Sequence, residues 1–331
     1  MGDPAGISPE LTAKLVATDE ALAAAHIVVI GDKRVFDEGA RIAGVDIDVD
    51  LLREGVPLPQ PGIRPQFVDL RHLDPASIVR GVAARAGGAY ALANYRYALR
   101  LVAHGHAEAV CFTPFNKQAM RLADPTYDDE IGFTAGVLGT TGAATEFNVL
   151  EGLWNARVTS HVPMAIMPSL LSIDGIVEAL QLTSAALRAA GFTPPRIAVA
   201  ALNPHAGDGG NFGREEIDII APAVARSKAN GIVADGPFPA DTVFVRARRG
   251  DFDAVLTMYH DQGQIAMKLM GFDRGVTLLG GFPFPICTPA HGTAYEIAGR
   301  GVANLGATHA ALLLAAEMAQ RGAQQPDSPT R

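Results

Sequence analysis

Short apolar runs separated by longer helical patterns constrain this chain more than any other feature. The segments "HIVVIG" (26–31), "EAVCFTP" (108–114), "RIAVAALN" (196–203) and "DAVLTMY" (253–259) are apolar without alternation, so they read as strands covered on both faces. Between them, residues 76–104, 168–190, 214–229 and 306–321 are rich in Ala, Leu and Arg and read as helices. Alternation of this kind predicts an α/β fold with a largely parallel sheet. With 331 residues, 48% of them hydrophobic, the chain can bury one large core or two. No internal repeat or low-complexity linker marks a domain boundary. The tail "QQPDSPTR" is polar and reads as disordered.

Charge narrows the function classes. Charged residues make up 19% of the chain and the formal net charge is −8, with no basic cluster, so a nucleic-acid surface is not expected. No apolar run reaches the roughly 18–20 residues of a membrane span, and no signal sequence opens the chain. A cytoplasmic protein is expected. Two cysteines, Cys111 and Cys287, are too few for a disulfide framework and read as free thiols. The opening "MGDPAGISPEL" is a Gly/Pro-rich turn leading into a helix with Pro9 at its first position. Such a loop ordinarily follows a strand, so a strand upstream of Met1 is expected.

In open α/β sheets, ligands gather at the carboxyl ends of strands. Here those ends read "CFTPFNKQ", "ALNPHAGDGGNFG", "GPFPADT" and "TMYHDQGQ", and several carry His, Asp or Lys amid Gly and Pro. Of nine histidines, His161, His205 and His260 each follow an apolar run at a loop entrance. Three imidazoles could hold Zn, Mn, Co or Ni, although their wide spacing is a weak pattern by itself. His26, His72, His104, His106 and His309 lack acidic or glycine-rich neighbours and read as surface or core residues.

The stretches "MGDPAGISPEL", "LNPHAGDGGNFGREE", "GPFPADTVF", "MYHDQGQIAMKLMGF" and "HGTAYEIAGRGVAN" resemble, in order, signatures of the 4-hydroxythreonine-4-phosphate dehydrogenase family of pyridoxine biosynthesis. The resemblance implies a fold like isocitrate and isopropylmalate dehydrogenases, with two α/β subdomains and a cleft between them. It suggests residues 1–128 with 280–331 as the cofactor side and 129–279 as the metal and dimer side. It also implies a homodimer with the site at the subunit interface, and a divalent metal (Zn, Mg, Mn or Co) on His161, His205 and His260. The implied reaction oxidises a β-hydroxy acid by hydride transfer to NAD or NADP, followed by decarboxylation. Lys268 and Asp241 are then the proton carriers, and Asp261 orients His260 or a water. For Lys268 a salt bridge, and for Asp241 a helix cap, is the competing reading.

No G-x-G-x-x-G follows a strand, so a Rossmann site has no support. By the same resemblance, residues 291–304 form the adenosine loop. His291, Gly292, Thr293 and Ala294 would cradle the cofactor, and Asn304 would meet the adenine. Read from the residues alone, "GTAYEIAGRG" is a helix closed by Gly.

The chain departs from the family at substrate positions. Phe133 stands where a histidine is usual, beside a retained Thr134. Thr277 replaces an asparagine, and Ile286 replaces a phosphate-facing arginine. Loss of a guanidinium removes a bidentate clamp. A non-phosphorylated substrate, such as a cis-dihydrodiol carboxylate from aromatic-acid (terephthalate) degradation, is therefore an alternative. A second is a non-catalytic, metal-dependent binder of small acids.

Overall fold

The computed structural model describes residues 1–55, 62 and 64–324; the tail read as disordered lies outside them from residue 325. The chain divides into two compact units, Met1–Thr141 with Pro283–Gln320, and Gly142–Phe282 with the chain end from Arg321.

The first unit contains α1 (Ser8–Val16), α2 (Asp19–Ala24), β1 (Val28–Gly31), α3 (Lys33–Ala43), β2 (Asp50–Arg53), β3 (Gln66–Asp69), α4 (Arg85–Ala103), β4 (Val110–Cys111), α5 (Lys117–Ala123) and α6 (Glu130–Leu138). The second contains β5 (Thr145–Leu150), β6 (Leu153–Arg157), α7 (Ile173–Ala189), β7 (Ile197–Ala200), α8 (Ala221–Ala229), β8 (Ala234–Phe238), α9 (Ala240–Arg248), β9 (Ala254–Thr257), α10 (His260–Gly271) and β10 (Val276–Gly280). Strand β11 (Ile286–Pro289) returns to the first unit, and α11 (Gly306–Ala323) closes the chain.

All four sequence-predicted strands form, as β1, β4, β7 and β9. In the first unit β1, β3 and β2 make a parallel three-stranded sheet, and β4 pairs in parallel with β11, which sets the two free thiols Cys111 and Cys287 opposite each other. Its core joins Ala13, Val16, Val29, Phe36 and Phe67. Helix α3 can lie on α1 because residue 39 is glycine; a Cβ there would meet the Pro9 carbonyl oxygen at 2.4 Å. The helix expected over 76–104 is shorter than its pattern. Gly81 adopts φ 73° and its N–H donates to the Ala5 carbonyl, so α4 starts only at Arg85.

In the second unit the strand order is β10-β5-β6-β9-β7-β8. The expectation of a largely parallel sheet holds for β6, β9, β7 and β8, while β10, β5 and β6 run antiparallel. Polar residues hide the β5–β6 hairpin from an apolar-run reading, because Glu146, Asn148, Asn155 and Arg157 interrupt it. Cross-strand partners share a sheet face. Asn148 stands opposite both Asn155 and Thr277, and Arg157 opposite Thr257. One polar face therefore runs across four strands, and α10 covers it. Around this face Leu153, Val255, Phe244 and Met267 belong to the apolar core.

The sequence division placed residues 129–141 with the second unit. They belong to the first, because α6 packs Phe133 against the cluster of Leu92, Met120 and Tyr127.

Candidate functional site

Strand β9 ends at Thr257 and α10 begins at His260. This junction carries most of the expected chemistry. Two bonds from Gln262 hold it: its Oε1 accepts from the Met258 N–H at 2.7 Å, and its Nε2 donates to the Ala201 carbonyl at 2.6 Å. A third bond runs from the Thr159 hydroxyl to the Met258 carbonyl at 2.8 Å. The loop after β6 is thereby tied to the end of β9, which brings the His161 and His260 rings to 5.4 Å between centroids. His260 Nδ1 lies 2.6 Å from Asp261 Oδ1, leaving Nε2 as the free ligand or proton-accepting atom. Lys268 is exposed two turns further along α10, and Asp241 is exposed in the first turn of α9.

His205 is placed differently. Residues 205–209 all have positive φ, with His205 at 53°, Ala206 at 54° and Asp208 at 45°. Glu216, which is buried, holds the entry to this turn: its Oε1 accepts from the N–H groups of Leu202 and Asn203 at 2.8 and 2.7 Å. The His205 ring lies 6.3 Å from that of Phe212. Among the described residues no group of three or more His, Cys, Asp or Glu side chains is gathered closely enough for a metal ion. Of the three histidines implied as ligands, His161 and His260 are the two whose rings lie beside each other. Glu216 and Gln262 went unnoticed in the sequence; a carboxylate and an amide flanking Gly-rich strand ends were the available signal.

The first unit holds the expected cofactor loop. Residues 291–304 contain only a short turn at Tyr295–Ile297, so the helix reading of this stretch does not hold. The loop is bound to α1 along its length. Ile7 N–H donates to the Thr293 carbonyl at 3.1 Å, and Ala303 N–H donates to Glu10 Oε1 at 2.8 Å. Lys14 Nζ donates to the carbonyls of Gly301 and Ala303 at 3.0 and 2.8 Å. Ala294 takes a left-handed φ of 43°. His291 Nδ1 lies 3.0 Å from the Gly292 carbonyl, and the exposed Asn304 accepts from Gly306 N–H at the start of α11. The Tyr295 hydroxyl donates to Asp3 Oδ2 at 2.5 Å. Burial nevertheless raises the Asp3 carboxyl above its ordinary range.

The substrate positions occupy varied settings. Phe133 stacks on Tyr95 at 5.7 Å and lies under the Arg96 guanidinium at 5.2 Å. Thr134 is fully buried; its hydroxyl donates to the Glu130 carbonyl and lies 2.6 Å from the Tyr95 hydroxyl. Ile286 is fully enclosed in β11 and presents no surface to a ligand. Thr277 lies partly open on β10.

Known proteins resemble this chain over nearly its whole length. The family described as "Pyridoxal phosphate biosynthetic protein PdxA" matches residues 23–315. A protein of Rhizobium meliloti, provisionally named 4-hydroxythreonine-4-phosphate dehydrogenase 2, is 61% identical over 97% of this chain and 92% of its own length. A 4-hydroxythreonine-4-phosphate dehydrogenase of Geobacter metallireducens is 38% identical over 97% and 94%. Among solved structures, that of the Klebsiella pneumoniae 4-hydroxythreonine-4-phosphate dehydrogenase is 35% identical with a TM-score of 0.82, covering 97% of this chain and 98% of that one. From these matches the chain is an oxidoreductase with a dehydrogenase-like α/β fold, and it belongs to the PdxA family of pyridoxal phosphate biosynthetic proteins.

Proposed function

We propose that this chain oxidises 4-hydroxythreonine 4-phosphate or a closely related phosphorylated β-hydroxy acid, with NAD or NADP as hydride acceptor. The observation that supports this most directly is the His161–His260 pair beside Asp261 at the ends of β6 and β9, in a chain whose relatives are dehydrogenases. A bound NAD or NADP would supply the acceptor for the hydride of the carbinol carbon, while the hydroxyl proton passes to a base of this chain. Lys268 and Asp241 are the proposed proton carriers, with Asp261 holding the His260 ring by its Nδ1. The β-keto acid so formed loses carbon dioxide, and the resulting enolate carbon takes up a proton. The loop 291–304 is the proposed seat of the adenosine, with Thr293 and Ala294 in its backbone and His291 and Asn304 at its rims. Divalent-metal dependence belongs to the same proposal.

Neither the dihydrodiol nor the non-catalytic reading is favoured. The case for an apolar substrate rested partly on Ile286, which is core rather than pocket wall. Reduction of NAD and of NADP, followed spectrophotometrically with 4-hydroxythreonine 4-phosphate, D-threonate 4-phosphate and a cis-dihydrodiol carboxylate, tests the assignment. Turnover of a phosphorylated acid is expected; turnover of the dihydrodiol alone would reverse the choice of substrate. Activity surviving exhaustive chelation, with no bound ion, would remove the metal from the proposal.

A homodimer is also proposed. In the second unit α10 and the turn after it expose Ile265 at 61%, Leu269 at 84% and Phe272 at 54%. An apolar stripe of this size on a helix otherwise packed on a sheet fits burial against a second copy of the chain.

A further inference from the structure

Arg157 ends β6 with its side chain only 1% exposed. Each arm of the guanidinium is used. Nη2 is paired with Glu146 on β5, Nη1 donates to Asn148 Oδ1 at 2.7 Å, and Nε donates to Ser160 Oγ at 3.0 Å. The same Asn148 oxygen accepts from Gln264 Nε2 at 2.5 Å. Gln264 lies one turn beyond His260 on α10, and residues four apart stand on one helix face. Ser160 immediately precedes His161. One buried fork therefore joins the loop carrying one imidazole to the helix carrying the other.

We infer that Arg157 is a positioning residue for the proposed reaction, fixing His161 through Ser160 and His260 through Asn148 and Gln264. The inference rests on that functional reading for its kinetic consequence, and on the hydrogen bonds alone for its geometric one. Stability gives little reason for a guanidinium here, because a buried ion pair is often no more stabilising than apolar residues of the same volume. What an apolar side chain cannot do is set three partners at fixed directions. Arginine's planar fork does this, and lysine's single ammonium does not. Burial draws the guanidinium below its ordinary range, against the pull of Glu146. The Glu146 carboxylate is therefore integral to the fork.

Ser160→Ala removes one hydroxyl and spares the buried ion pair; Arg157→Met removes the fork. The experiment combines kcat and KM, thermal midpoints, and NMR contacts between the His161 and His260 rings in histidine-labelled protein. Ser160→Ala is expected to keep the wild-type midpoint, weaken the ring–ring contact and lower kcat about tenfold with little change in KM. Misplacement of reacting groups by about 1 Å costs on the order of a hundredfold, and that is the loss expected for Arg157→Met. Arg157→Lys should recover stability more fully than kcat. Variants that keep the ring contact and the wild-type kcat, with only a lowered midpoint, would reduce Arg157 to a structural ion pair and overturn the inference. If wild type oxidises none of the hydroxy acids, the functional reading fails, while the ring contact in Ser160→Ala still decides the geometric role.

Discussion

Gly263 shows how one missing side chain governs a site. It lies in α10 against β6, and a Cβ there would fall 2.1 Å from Asn155 Oδ1. Asn155 cannot retreat, because its amide donates to the carbonyls of Ala156 and Val255 and to the Thr257 hydroxyl. On an exposed helix Gly→Ala gains about 1 kcal/mol; here overpacking reverses the sign. Gly263→Ala is expected to cost about 1–3 kcal/mol and to lower turnover by lifting the helix that carries His260. Chemical denaturation and steady-state kinetics check the two halves separately. Ile286→Arg is a second residue-scale prediction. The family resemblance makes it look like restoration of a phosphate clamp, but the fully buried position would trap a charge without a partner. A loss on the order of 4 kcal/mol is expected, read as a fall in denaturation midpoint, with no gain in affinity for a phosphorylated substrate.

At the scale of elements, caps and turns decide where the helices begin. Asp32 caps α3, accepting from Arg34 N–H at 3.1 Å while its carboxylate also takes the Arg34 guanidinium. Burial pushes this carboxyl up, but the Arg34 bonds outweigh it and hold it below the ordinary carboxylate range. Its contribution is therefore complete above the unfolded-state carboxylate pKa and is lost as pH falls through the lower folded value. Asp32→Ala is expected to cost about 1 kcal/mol at neutral pH. That difference from wild type should shrink in acid, as measured by denaturation at a series of pH values. Helix α4 teaches the converse: its pattern begins near residue 76, yet a left-handed glycine at 81 bonded to Ala5 delays it by a full segment.

For the whole molecule, the exposed stripe on α10 sets the expected assembly. Light scattering should report about twice the 34.6 kDa chain mass, because leaving Leu269 and its neighbours in water forfeits roughly 2 kcal/mol per large side chain. Leu269→Asp should shift the protein toward monomer with its secondary structure intact. A dimer unaffected by that change would place the contact on another surface.

The sequence by itself determined the α/β class, the four strands whose apolar runs need cover on both faces, and the loops where His161, His205 and His260 would stand. These follow from local periodicity and from the ordered motifs, each of which survives in a linear reading. The β5–β6 hairpin was not legible, since Glu146, Asn148, Asn155 and Arg157 look like surface residues until their partners across the sheet are known. Nor was it legible that Ile286 is core or that Thr134 spends its hydroxyl on Tyr95 and Glu130. Only the tertiary structure decided these. Strand register and hydrogen bonds between residues about 100 positions apart determine which side chains meet, and no local pattern encodes them.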